Sequence, residues 1–193
     1  MKCDPRILDL HRFSDSIMGR LAALSNTNGK PITCRSGCSS CCFEPVYCAD
    51  VEVDHLLGRM TPQRRKVIAA RTAAWLARVE PSGLLDVSEP DVIAWRDTLA
   101  PCPFLEGRLC SVYDDRPWGC RLHLAVGDPK LCDSQDTRRN QVYAMSPEVG
   151  PAVILHLLKL YRTVTLDHLG LWLARRLLGS VRESADTNKL VAK

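Results

Sequence analysis

Eight of the ten cysteines fall into two sets of four, and any fold of this chain must decide what those thiols meet. The first set is Cys34, Cys38, Cys41 and Cys42; the second is Cys102, Cys110, Cys120 and Cys132. Only Cys3 and Cys48 stand outside them. The run Cys-Arg-Ser-Gly-Cys-Ser-Ser-Cys-Cys is too crowded for a disulfide framework, whose bridges need particular Cα separations and directions. Thiolates at such short spacing are soft ligands that suit zinc or an iron–sulfur cluster. Gly37 relaxes the backbone where the sulfurs converge. In extended backbone Cys41 and Cys42 point to opposite sides, so they serve different metals, or one is a packing or redox thiol. Two four-cysteine sites, one mixed site with thiols to spare, and a dinuclear site all fit the spacing.

The compartment decides between ligands and disulfides. The N-terminus runs into charges at residues 8–12, with no uninterrupted apolar stretch of the secretory kind. The most apolar tract, 149–158, is about half a membrane span and contains His156. A cytoplasmic protein is therefore expected, with no membrane association and with thiols kept reduced. The formal net charge of +4 is mild, and its arginines are scattered rather than run together with aromatics. Nucleic-acid binding is not expected; a protein partner is open.

The 193 residues carry 46% hydrophobic and 25% charged side chains, enough for one domain with an ordinary core. Helical spacing dominates. Ile7, Leu10, Ile17, Leu21 and Leu24 form one stripe, ending before Asn26-Thr27-Asn28-Gly29. Residues 50–60 read as a brief helix. Thr61-Pro62 caps the next, with Ile68, Thr72, Trp75, Leu76 and Val79 on one face and Pro81-Ser82-Gly83 as its stop. Ser88-Glu89-Pro90-Asp91 and Ser146-Pro147-Glu148 are further starts. Ile154, Leu157, Leu158 and Tyr161 form one late stripe and Leu169, Trp172, Leu173 and Leu177 another, with a break near Thr165-Leu166-Asp167. The second cysteine set lies in proline- and glycine-rich loop, with a hairpin at Glu106-Gly107. The expected fold is mainly α, a single helical domain with two cysteine-rich metal-binding loops and a short β-hairpin. Residues 1–33 form an N-terminal helix and lead-in, 34–132 the metal-binding core, 133–180 C-terminal helices packed on it, and 181–193 a tail that frays.

Around the thiols, His123 is a candidate ligand or proton relay, or makes a structural hydrogen bond. Arg116 and Arg121 can steady an anionic cluster or pair with Asp114 or Asp115. Trp118 is expected to shield the metal, while Trp75, Trp95 and Trp172 read as core anchors. His55, His156 and His168 read as structural, and Cys3 and Cys48 as non-ligands.

The spacing Cys34-x3-Cys38-x2-Cys41 equals that of radical S-adenosylmethionine enzymes, but Ser40 stands where those carry an aromatic, and no strand–helix alternation follows. A closer resemblance covers residues 34–132. Cys34-x3-Cys38-x2-Cys41-Cys42, then Cys102-Pro103-Phe104-Leu105, Gly107, Cys110, Val112-Tyr113, Arg116-Pro117 and Cys120-Arg121, is similar to the YkgJ-type cysteine cluster proteins, the CxxCxxCC domain. The resemblance implies a small bacterial cytoplasmic protein chelating zinc or iron, most members having no assigned activity. Larger relatives include flagellin lysine methylases, thought to use an iron–sulfur cluster in methyl transfer. This chain is shorter and shows no glycine-rich cofactor turn, so that activity does not carry over directly.

Three functions follow as expectations. The first is a [4Fe–4S]-type protein with a redox or group-transfer accessory role. The second is a zinc-stabilised interaction module without catalysis, and the third a methyltransferase-like enzyme dependent on an iron–sulfur cluster.

Overall fold

The computed structural model describes residues 4–29, 31–86, 92–126, 132, 141–144, 149–179 and 188–192. The architecture is mainly helical, as the periodicity predicts. Helix α1 (Pro5–Thr27) opens it, with the Asp4 carboxylate accepting from the Arg6 amide. A short strand β1 (Tyr47–Ala49) leads into α2 (Asp50–Gly58) and then α3 (Pro62–Val79). Thr61 caps α3 as its sequence demands, its hydroxyl accepting from the Arg64 amide at 3.1 Å. Gly83 stops the chain after α3 in the left-handed region, at φ +73°. Helix α4 (Val92–Asp97) follows, and the start expected at residues 88–91 lies outside the described residues.

The predicted hairpin forms from β2 (Leu105–Glu106) and β3 (Leu109–Cys110), turning at Gly107. Helix α5 (Trp118–Leu122) runs directly into β4 (His123–Val126), which pairs antiparallel with β5 (Gln141–Ala144). Helix α6 (Val149–Tyr161), strand β6 (Thr163–His168), helix α7 (Leu169–Leu178) and strand β7 (Asn188–Val191) complete the chain.

Two expectations need correction. The break near Thr165-Leu166-Asp167 is not a loop between helices; it is β6, the middle strand of a sheet ordered β1-β6-β7. Part of the 181–193 segment expected to fray, Asn188–Val191, is an edge strand of that sheet, registered with Val191 opposite Thr163. Backbone pairing anchors these residues, and Leu190 packs against the core.

Three groups of buried side chains hold the elements together. One gathers α2, α3 and α7 through Val53, Leu56, Ile68, Trp172 and Leu173, with Phe104 from the loop before β2. A second joins α1, α5, α6 and β6 through Ile7, Leu10, Trp118, Val153 and Val164. The third packs Trp75, Val79, Leu85, Trp95 and Leu171. Helix α7 serves the first and third groups, and burial of each such side chain is worth about 1.5–3 kcal/mol. Leu24, counted on the α1 stripe by spacing, is 62% exposed, while the next residue, Ser25, is buried.

Candidate metal centre

Local backbone geometry brings the first cysteine set inward. Gly37 sits at φ +86°, a conformation that costs a glycine little, and the turn closes with the Cys38 amide donating to the Arg35 carbonyl at 3.1 Å. Residues Ser40–Phe43 then form one turn of 3₁₀ helix rather than extended backbone. Cys41 and Cys42 are therefore not on opposite sides. Their thiols hydrogen-bond to each other.

The second set arrives on separate supports. The Cys102 amide donates to the Cys42 carbonyl at 2.7 Å, fastening the two loops together. Cys110 ends the β2–β3 hairpin, and Cys120 lies within α5. Helix α5 approaches so closely that a Cβ on Gly119 would overlap the Tyr47 carbonyl oxygen of β1. Glu52, wholly buried, pins the same junction: its carboxylate accepts from the Ala49 amide at 2.9 Å and the Trp118 amide at 2.8 Å.

Six thiols, those of Cys38, Cys41, Cys42, Cys102, Cys110 and Cys120, line one cavity of about 80 Å³. Trp75, Trp95, Phe104 and His168 wall its apolar side. Within it Cys41 interacts electrostatically with Cys102, Cys110 and Cys120 as well as with Cys42 and Cys34 of its own sequence set. Cys132 conversely feels Cys38 and Cys34 most strongly. The Cys34 sulfur lies against β4, accepting from the Ala125 amide at 3.0 Å. The fold thus joins the two sequence sets, through Cys41 on one side and Cys132 on the other. Cys48 lies in β1 within the α2–α3–α7 core, and Cys3 is outside the described residues.

Burial is the first cause of raised thiol pKa values at Cys34, Cys110 and Cys120, and at Cys102 and Cys132, pushed to about 12 and about 11. Cys41 is held well above its ordinary value first by the Cys42 hydrogen bond and then by burial. These thiols are protonated in the metal-free chain near neutrality, and a soft cation supplies the charge that would stabilise their anions. The donor set fits zinc or an iron–sulfur cluster. Among the described residues no three Cys, His, Asp or Glu side chains are gathered about one ion-sized point; the thiols ring a space instead.

The side chains around the thiols differ from expectation. Trp118 is buried on the far side, among α1 and α6, and does not line the cavity; α5 turns Trp118 and Cys120 to different faces. Trp75 and Trp95, expected only in the core, supply the apolar wall, with Trp95 stacked on His168 at 5.0 Å between ring centroids. Arg121 pairs with the Asp15 carboxylate at 2.8 Å and with the Asp114 carbonyl, so it braces α5 against α1. Arg116 forms no such pair. Its guanidinium lies 3.9 Å over the Tyr113 ring, within electrostatic reach of Cys34, Cys110 and Cys120.

His123 meets a partner the sequence did not flag. Its Nε2 lies 3.1 Å from Glu44, whose buried carboxylate also pairs with Arg96. Burial pushes the Glu44 carboxyl up, but His123 and Arg96 outweigh it, and the net shift is downward. The only signal for Glu44 was its place two residues beyond Cys42.

No curated protein and no solved structure matches the chain significantly. A family model does, over residues 33–147, more than half the chain and all eight clustered cysteines. With that span and the thiols around one cavity, the chain belongs to the CxxCxxCC family, a domain thought to chelate zinc or iron.

Proposed function

We propose that the deep cavity holds an iron–sulfur cluster of the four-iron type on Cys41, Cys102, Cys110 and Cys120, and that the protein serves redox or group-transfer chemistry as an accessory to a protein partner. The observation that carries this reading is the ring of six thiols, drawn from separate segments, around one aromatic-walled space. Such a cluster supplies one-electron chemistry when bound. The chain's own residues would orient the thiols through the Cys102–Cys42 backbone bond, exclude water with Trp75, Trp95 and Phe104, and offset anionic charge with Arg116. All nine described cysteines are free thiols, which suits a reducing cytoplasm.

Anaerobic purification with an absorption spectrum and iron, zinc and sulfide analysis on one sample tests this. Brown protein with sulfide matching iron is expected. Colourless protein with stoichiometric zinc would replace this reading with a zinc-stabilised interaction module, which the burial around Cys102 favours because closed four-thiolate zinc sites are structural.

A further inference from the structure

On the other side of Cys38, Cys41 and Cys120 lies a second, larger cavity of about 330 Å³, between α1, the first cysteine loop and α5. That is room for a small molecule. Among the described residues its lining carries Arg35, Arg116, Arg121 and His123 and no carboxylate. Two of these side chains are already engaged, Arg121 by Asp15 and His123 by Glu44. Arg35 and Arg116 pair with no carboxylate among the described residues, and the Arg116 Nε is buried without a hydrogen-bond partner among them. The Arg116 guanidinium lies over the Tyr113 ring, and both side chains line the cavity.

We propose that this second cavity binds a small soluble polyanion, a carboxylate- or phosphate-bearing molecule, on the guanidinium groups of Arg35 and Arg116. Two guanidiniums that line one concave space and pair with no carboxylate among the described residues give the forked, charge-assisted donors that oxyanions match. The anion would lie directly against Cys34 and Cys38, at the edge of the centre; that adjacency rests on the proposed function, while the charge of the cavity does not.

Calorimetric titration of the full chain with pyrophosphate, and separately with citrate, tests the site in both metal-free and metal-loaded protein at fixed ionic strength. Saturable one-site binding of at least one anion is expected, and the better of the two names the chemistry. Arg35→Gln and Arg116→Gln should each weaken it about tenfold, the loss of one charge-assisted hydrogen bond. Arg176→Gln, whose guanidinium is held by Asp54, should leave it unchanged. Circular dichroism checks folding; should Arg116→Gln misfold, the exposed Arg35 decides the matter. No saturable heat from either anion, or unaltered affinity in Arg35→Gln, overturns the proposal. So does loss of metal retention in Arg116→Gln with anion affinity intact, which would make that guanidinium a counter-charge for thiolates alone. Anion binding by a chain that takes up neither iron nor zinc would uphold this site and remove the metal reading; a loaded chain without anion binding would do the reverse.

Discussion

Single side chains carry sharply different duties within a few residues of one another. Cys41 and Cys48 are both cysteines of the same segment, yet one faces the cavity and the other is sealed in the core. Cys41→Ala should therefore remove most of the bound iron or zinc, while Cys48→Ala should keep the metal and cost roughly 1–2 kcal/mol in a urea melt through a small void. Loss of metal from the second variant would overturn the assignment. Glu52 makes a different demand. Burial pushes its carboxyl to about 7 against the two amide bonds that favour the anion. A folded-state value above the unfolded 4.5 contributes stability that is complete below pH 4.5 and lost as pH rises to about 7, of order 3 kcal/mol. Relative to wild type, Glu52→Gln should gain stability over that window, read from urea midpoints at several pH values. A flat difference would show the carboxylate ionised throughout. His11, lowered to about 4 chiefly by burial and then by Arg121, works in the opposite sense, contributing stability above pH 6.5 that disappears as pH falls to 4.

At the scale of elements, the short helix α5 is the piece on which the centre turns. It is five residues long, too short to stand alone, and is held by Glu52 at its start, Arg121 to α1, and the close approach at Gly119. Gly119→Ala should push α5 off β1 and reduce metal content well before it unfolds the protein; unchanged metal with an unchanged melting temperature would show the junction to be tolerant. None of these contacts could be read from the sequence, because each depends on which element comes alongside. What could be read was local: the Thr61 cap, the hairpin at Gly107 and the stripes of α3 and α7 follow from neighbours in the chain. Strand β6 escaped notice because six residues ending in a buried Asp167 and His168 look like a helix break until β1 and β7 flank them. The same applies to the thiols. Their chemistry was plain from spacing, but the meeting of Cys41 with Cys102, Cys110 and Cys120, and of Cys132 with Cys34 and Cys38, is a tertiary fact. Trp118 was misplaced for that reason too: proximity to Cys120 along the chain says nothing about the face of α5 it occupies.

For the molecule as a whole, raised thiol pKa values tie metal affinity to acidity. Each ligand must shed a proton on binding, so with up to four thiols affinity should fall by as much as about 10⁴ per pH unit below neutrality. Competition with a chelator between pH 6 and 8 measures the slope, and a pH-independent result would mean the thiols are already ionised in the free chain. The cavity thiols also come from two well-separated stretches, Cys38 to Cys42 and Cys102 to Cys120. A metal shared among them closes long loops of chain, much as a cross-link does, and restricts the unfolded ensemble. Unlike a covalent bridge, it can be withdrawn and restored. A chain deprived of iron or zinc would open more often and be cut sooner by proteases, so that the lifetime of the protein would itself report the metal supply of the cell.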